Sequence, residues 1–286
     1  MLINTPNNPS GAVYSAETLT RLAEILRAKQ VEYGHDIFLI SDEPYREIVF
    51  DGGVQPYPSK FYDNTLSCYS YSKSLSLPGE RIGYVAVNPR ATDAELIVPM
   101  CGQISRGTGH NCPGSSVQLA VAKVVDETSD LSVYEKNMNL LYDALVRLGF
   151  DVVRPGGTFY IFPKALEDDA NAFCMKAKDY DLILVPSDSF GVPGYFRMAY
   201  CIDTEKVERS IAAFEKSCTK STAAEPVCAR WRNSDANKPK GCVSALYMAE
   251  THPCPELSRL YMAGRLAKTA KNVPPKWRFA EDVCHI

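Results

Sequence analysis

A lysine among small hydroxyl residues is the feature of this sequence that most directly suggests chemistry. Lys73 lies in the segment SYSKSLSLPGERIGY (70–84), with Ser70 and Ser72 before it and Arg81 after it. A lysine amine can form a Schiff base with an aldehyde. Serine hydroxyls and a guanidinium can hold a phosphate dianion, because arginine binds two oxygens at once. The segment therefore suits a phosphorylated aldehyde cofactor, although a lysine among serines alone also fits a solvated loop.

An acidic residue and a tyrosine follow a predicted buried strand. Asp42 and Tyr45 lie in SDEPYREI (41–48), directly after the apolar run IFLI (37–40). Ligands of open α/β sheets bind beyond the carboxyl ends of the strands, so an acid at this position can meet a cofactor. The alternative is an ordinary strand-end acid followed by an ordinary helix start.

Two further polar residues lie in a turn and in a predicted strand. Asn8 belongs to NNPSG (7–11), and Asn-Pro turns are common in any chain. Arg197 belongs to YFRMAY (195–200). Its guanidinium either binds a carboxylate through two parallel hydrogen bonds or lies on a solvated strand face.

Taken together and in this order, the segments resemble the motifs of fold-type-I pyridoxal-phosphate-dependent aminotransferases of class I/II, the aspartate aminotransferase-like group. The resemblance extends over residues 1 to about 217. It rests on S-x-S-K followed by G-x-R-x-G, on N-P-[ST]-G, on D-E-x-Y and on F-R-[IL]. PGGTFYIF (155–162) and VPSDSFG (185–191) are further matches, but Ser187 stands where the family commonly has glycine.

The resemblance implies a role for each candidate residue. Lys73 would be the Schiff-base lysine, moving a proton between the substrate Cα and the cofactor C4′. Asp42 would pair with the pyridine nitrogen and keep it protonated, which makes the ring an electron sink. Asn8 and Tyr45 would hydrogen-bond the cofactor's 3′ oxygen, and Arg197 would bind the substrate α-carboxylate. The positions on the phosphate side would be Ser70, Ser72 and Arg81.

The implied function is a ping-pong transfer of an amino group between an amino acid and a 2-oxo acid, with pyridoxal 5'-phosphate as cofactor and a homodimer as the assembly. Arg106, in RGTGHNCP (106–113), resembles the arginine with which dicarboxylate-specific members bind the distal carboxylate across the dimer. It equally fits an arginine that caps a helix end. A pyridoxal-phosphate-dependent carbon–sulfur lyase and a non-catalytic remnant are the alternative functions.

The elements that must position these residues predict an α/β protein. Strands alternating with a helix are typical of a mostly parallel sheet, here part of a large cofactor-binding domain at 1–127. A smaller α+β domain is predicted at 128–218. The strands are predicted at 2–5, 37–41, 66–72, 81–88, 152–153, 158–162, 182–185 and 195–200. Helices are predicted at 15–33, several times between 91 and 148, near 168–179 and near 203–217.

Residues 219–286 differ from the rest of the chain. They contain 11 Lys and Arg against 6 Asp and Glu, with little periodicity apart from a predicted helix near 255–271. We interpret them as an atypical basic tail, loosely packed or partly disordered. Scattered charges of this kind do not predict a nucleic-acid-binding arm.

Composition predicts an ordinary globular protein with a cytoplasmic location. Apolar residues make up 45%, charged residues 23%, and the net charge of -3 offers no argument for a nucleic acid or membrane partner. The ten cysteines include no C-x-x-C pair, so reduced thiols are expected and no metal site is predicted. No apolar run is long enough to cross a bilayer.

The resemblance begins well inside the family's usual length. Members have a preceding segment that supplies early strands, a phosphate-binding loop at a helix N-terminus and an aromatic residue stacked on the pyridine ring. Four contiguous strands would then leave two unpaired sheet edges and one uncovered face. The expectation from sequence is therefore an unstable and nearly inactive 286-residue chain.

Overall fold

The computed structural model describes residues 1–220 and 283–285. The strands are β1 (Leu2–Asn4), β2 (Leu39–Asp42), β3 (Thr65–Ser70), β4 (Gly83–Val87), β5 (Tyr160–Ile161), β6 (Val185–Pro186), β7 (Phe196–Ala199) and β8 (Val283–His285). The helices are α1 (Ala16–Tyr33), α2 (Tyr71–Ser74), α3 (Ala94–Gly107), α4 (Ser115–Val121), α5 (Leu131–Arg147), α6 (Ala170–Ala177) and α7 (Thr204–Lys220).

The larger sheet has the order β1-β2-β3-β4-β8. β1, β2 and β3 are parallel, β4 is antiparallel to β3, and β8 is antiparallel to β4. The predicted α/β class with a mostly parallel sheet is therefore confirmed. In the register, Asn4 lies opposite Asp42, so the ends of β1 and β2 place these two side chains next to each other.

The predicted pair of unpaired edges is wrong at β4. Residues Val283–His285 of the tail pair with β4, opposite Tyr84 to Ala86. The rest of the predicted tail, including the helix near 255–271, lies outside the described residues. Local periodicity does not reveal such a pairing, because three residues carry little pattern and a sheet edge can accept any backbone.

Both faces of the larger sheet are packed against helices. Ser15 caps α1 by accepting a hydrogen bond from the Thr18 amide at 3.1 Å. The apolar stripe of α1 covers one face, with Leu19 and Leu39 buried together. α3 packs over Val85 on the other face. The predicted uncovered face is therefore covered at β3 and β4, while the Leu2 and Ile40 side chains of β1 and β2 stay exposed.

The smaller sheet has the order β5-β7-β6, with antiparallel pairs. It shares one apolar core with α5, α6 and α7, in which Met138, Phe196 and Phe214 are almost fully buried. The core also takes in Tyr45, from the turn after β2. This continuity of packing fixes the turn that carries Tyr45 against β5.

Several predicted boundaries shift for identifiable reasons. β3 ends at Ser70 because the Ser70 hydroxyl caps α2. α6 begins at Ala170 because Asp169 accepts hydrogen bonds from the two amides that follow at 171 and 172. The predicted strand at 152–153 is wrong. Val153 is exposed there, and the segment lies outside both sheets.

All described residues belong to one compact unit, and the predicted division into domains at 127 and 218 stays a prediction. Among the helices of the described part, none combines the length and the apolar character needed to cross a membrane.

Candidate active site

The carboxyl ends of β1 and β2 bring a carboxylate and an amide together. Asn4 Nδ2 donates to Asp42 Oδ2 and to the Asp42 carbonyl, both at 3.0 Å. Burial raises the pKa of the Asp42 carboxyl above its ordinary value, and the hydrogen bond from Asn4 opposes that rise. A half-buried carboxylate held in one orientation is a good partner for a protonated ring nitrogen.

Lys73 lies on the short helix α2, immediately beyond the carboxyl end of β3. The Ser70 hydroxyl accepts from the Ser72 amide at 3.2 Å, which turns the chain from strand into helix. Ser70 Oγ also donates to Ser72 Oγ at 2.7 Å. The amine of Lys73 lies 5.9 Å from the centre of the Tyr45 ring and 5.8 Å from that of Phe159.

Tyr45 is buried beneath Lys73. Its ring is only 3% exposed and packs edge-on against Phe159 at 5.4 Å and Tyr160 at 6.0 Å. Burial is the largest cause of the raised pKa of the Tyr45 hydroxyl, and a hydrogen bond shared with Tyr160 raises it further. The phenol therefore stays protonated, with one O–H group that can donate a single hydrogen bond.

Arg197 and Asn8 meet although they lie at opposite ends of the described chain. Arg197 Nη1 donates to Asn8 Oδ1 at 3.0 Å. The guanidinium carbon also lies 4.3 Å from the centre of the Tyr160 ring and 4.8 Å from that of Phe190. Since the amide oxygen of Asn8 accepts from Arg197, its NH₂ group is the part of the side chain that can donate to a ligand.

Two of the predicted site residues, Arg81 and Arg106, have exposed side chains. Arg81 is exposed on the turn between α2 and β4, where its Nη1 donates to the Pro78 carbonyl at 3.0 Å. Arg106 is exposed in the last turn of α3, a position where a cation interacts favourably with the helix dipole. Contacts and shared turns connect Asn8, Asp42, Tyr45, Ser70, Ser72, Lys73 and Arg197, while the side chains of Arg81 and Arg106 are exposed.

A buried ion pair that was not predicted supports the turn between Asp42 and Tyr45. Arg46 Nη2 lies 2.7 Å from Glu43 Oε2, with side-chain exposures of 10% and 0%. The Arg46 guanidinium packs on the rings of Tyr57 and Tyr69, at 4.7 Å and 4.6 Å. The i, i+3 spacing of Glu43 and Arg46 was visible in the sequence, but their burial was not.

The donor set fits pyridoxal phosphate. A half-buried carboxylate suits the pyridine nitrogen, and a protonated phenol and an amide NH₂ suit the 3′ oxygen. A primary amine suits the aldehyde, and hydroxyls at a helix start suit the phosphate. Within the described residues, no cluster of three or more His, Cys, Asp or Glu side chains suits a metal ion.

The family model described as aminotransferase class I and II matches residues 1–214. The chain is 31% identical over 232 residues to the aromatic-amino-acid aminotransferase 2 of Thermococcus litoralis, covering 76% of this chain and 56% of that protein. It is 33% identical over 230 residues to the probable aspartate/prephenate aminotransferase of Aquifex aeolicus, with the same coverage.

Solved structures give the same result. The crystal structure of an amino transferase from Eubacterium rectale is 52% identical and superposes with a TM-score of 0.73, covering 77% of this chain and 56% of that one. Aspartate aminotransferase from Thermus thermophilus with maleate is 27% identical, with a TM-score of 0.61 and coverage of 75% and 56%. The chain thus spans about 56% of the length of the relatives it matches.

Proposed function

The chain belongs to the aminotransferase class I and II family, and we propose that it acts in the pyridoxal-phosphate-dependent transfer of an amino group between an amino acid and a 2-oxo acid. The observation that carries this proposal is the position of the Lys73 amine, 5.9 Å from the centre of the buried Tyr45 ring. An amine from the helix that follows a strand, placed near a phenol, matches the chemistry of an aldehyde cofactor with an adjacent ring oxygen.

We propose one task for each group around Lys73. When bound, the cofactor supplies an electron-withdrawing ring that stabilises a carbanion at the substrate Cα. Asp42 Oδ2 would keep the ring nitrogen protonated. The Tyr45 hydroxyl and the Asn8 amide would donate to the 3′ oxygen, and Ser70, Ser72 and Arg81 would hold the phosphate. Lys73 Nζ would hold the cofactor through its aldehyde carbon and, once displaced by the substrate amine, would carry the proton removed from the substrate Cα.

Arg197 is the proposed site for the substrate α-carboxylate. One nitrogen of its guanidinium donates to Asn8, so the remaining N–H groups of the planar fork can donate to two carboxylate oxygens. Because Asn8 touches both Arg197 and, in this proposal, the cofactor, substrate and cofactor would be placed next to each other. Arg106 remains the proposed contact for a distal carboxylate.

The names of the relatives favour transamination over the carbon–sulfur lyase alternative. Several are named aspartate aminotransferases, among them proteins from Geobacillus stearothermophilus and Bacillus subtilis. Aspartate with 2-oxoglutarate is therefore the first substrate pair to test. A homodimer is proposed by the same analogy. A cytoplasmic location is also proposed, supported by cysteines such as Cys68 and Cys174 that form no disulfide.

The proposal is tested with the purified 286-residue protein and added pyridoxal phosphate. Visible absorbance and mass spectrometry after borohydride reduction should locate the cofactor on the peptide that contains Lys73. Turnover of aspartate with 2-oxoglutarate is then measured on the same sample. Attachment elsewhere, or protein that takes up no cofactor, would refute the proposed site. Attachment at Lys73 with elimination in place of amino transfer would favour the lyase.

A further inference from the structure

Ser187, the residue that departs from the family's usual glycine, has a fully buried side chain with two hydrogen bonds. Its hydroxyl accepts from the Tyr195 amide at 2.9 Å and donates to the carbonyl of Val192. The Ser187 amide in turn donates to the Tyr195 carbonyl at 3.0 Å. One serine therefore joins both ends of the loop that it opens.

The Ser187 hydroxyl accepts a hydrogen bond that no backbone group of β6 accepts. β6 ends in Pro186, which pairs with Phe196 and has no N–H to donate. At the next position the Tyr195 amide is bound by the Ser187 side chain, while the chain turns into a short 3₁₀ helix at Ser187–Phe190. A glycine here would leave that amide without its side-chain acceptor and the loop with one fewer link.

The loop held in this way carries Phe190 onto Arg197. The Phe190 ring centre lies 4.8 Å from the guanidinium carbon of Arg197, and Tyr160 lies 4.3 Å from the same atom. Phe162 packs edge-on against Phe190 at 6.3 Å and stacks on Tyr195 at 5.3 Å. The aromatic packing and the Ser187 hydrogen bonds therefore fix the same loop from two sides.

We propose that Ser187 is a positioning residue for Arg197: by closing the loop 187–195, it holds Phe190 against the guanidinium and so orients the fork that receives the substrate carboxylate. The inference rests on the proposed function only for what Arg197 binds. A cation packed on two rings is restricted in rotation, so less freedom is lost when a carboxylate binds. A loosened loop lowers affinity for every substrate carboxylate while the groups proposed to hold the cofactor stay in place.

The test compares Ser187→Ala with Ser189→Ala, an exposed serine of the same loop that serves as the matched control. Maleate is the probe, because it is a dicarboxylate without an oxo group and cannot be turned over. Losing the serine's hydrogen bonds should raise the dissociation constant for maleate roughly 3- to 10-fold. Ser189→Ala should leave it unchanged. In the Arg197→Lys background, Ser187→Ala should have little further effect, since the coupling passes through Arg197.

A second readout needs no ligand. The NMR signal of the Arg197 Nε–Hε group, assigned by its loss in Arg197→Lys, reports the ring currents of Tyr160 and Phe190. It should move in Ser187→Ala and stay in Ser189→Ala. Phe190→Leu keeps every hydrogen bond of Ser187 but removes the ring. It should raise the dissociation constant for maleate roughly 2- to 5-fold. If Ser187→Ala does not fold, Phe190→Leu still tests whether the loop supports ligand binding at Arg197.

Three outcomes overturn the inference: an unmoved Arg197 signal, unchanged maleate affinity in both Ser187→Ala and Phe190→Leu, or an equal loss of affinity with and without Arg197. Parent protein that binds neither maleate nor cofactor would instead refute the proposed function. The Arg197 signal would still measure the effect of Ser187 on that side chain, so the two failures are distinguishable.

Discussion

Arg197 Nη1 and Asn8 Oδ1 are joined by a 3.0 Å hydrogen bond across 189 positions of sequence. The bond ties strand β7 to the turn that follows β1. It occupies the oxygen of Asn8 and one nitrogen of Arg197, so the amide nitrogen of Asn8 and the remaining guanidinium nitrogens are the groups that can donate to a ligand. The arginine proposed to bind the substrate and the amide proposed to bind the cofactor are thus joined directly.

Replacing Arg197 with alanine should weaken the binding of all amino acid and 2-oxo acid substrates to a similar extent, because all of them share the α-carboxylate. A charge-assisted contact of this kind is worth roughly 1.5–3 kcal/mol, or about one to two decades in affinity. Dissociation constants for aspartate, 2-oxoglutarate and an aromatic amino acid are the measurement. Arg209→Ala, an exposed arginine of α7, is the control. Loss confined to one substrate would contradict the assignment.

Lys73→Ala should abolish the covalent retention of pyridoxal phosphate after borohydride reduction, because the amine that reacts with the aldehyde is gone. Lys60→Ala, which removes an exposed lysine from another turn, should leave the retention intact. Intact-protein mass spectrometry measures both. Equal labelling of the parent and Lys73→Ala would show that another lysine carries the cofactor.

The Asp42 carboxyl should make the stability of the cofactor-free protein dependent on pH. Burial raises its pKa above the ordinary value of 3.8, so the folded state holds the proton more tightly than the unfolded state does. The parent therefore loses stability relative to Asp42→Asn as pH rises from about 3.8 through the raised folded-state pKa. Below that window the two proteins should unfold alike.

Urea unfolding of the parent and Asp42→Asn between pH 4 and 7 measures this difference in the free energy of unfolding. Asparagine keeps an oxygen that can accept from Asn4, so the local hydrogen bond is preserved. Asp143→Asn, at an exposed position of α5, is the control for the effect of losing one carboxylate on the free energy of unfolding. A difference that is constant with pH, or that favours the parent at neutral pH, would argue against a desolvated Asp42.

Arg46→Ala should destabilise the protein by roughly 3–5 kcal/mol, because it leaves the Glu43 carboxylate buried without its cation. The same substitution at Arg90, whose pair with Asp63 is exposed at 66% and 55%, should cost only about 0–1 kcal/mol. Urea midpoints at neutral pH give both values. A comparable small loss at the two sites would mean that Glu43 finds another partner or a proton when Arg46 is removed.

The sequence by itself determined the α/β class, the position of α1 and the order of the motifs. It also placed Asp42 and Lys73 just beyond strands. These are local properties: a buried parallel strand needs a short apolar run, a helix start needs a capping side chain, and both are written in neighbouring residues. Ser187 could be singled out from sequence only as a departure from a pattern.

Tertiary structure alone decided which distant groups touch. It paired Arg197 with Asn8, set Tyr160 and Phe190 on the guanidinium, buried the Glu43–Arg46 pair and brought β8 to the edge of β4. It also showed that the segment 152–153, predicted as a strand, lies outside both sheets. The physical reason is that a hydrogen-bond partner, a ring contact or a ladder neighbour is selected by the packing of whole elements, and local periodicity does not encode how those elements meet.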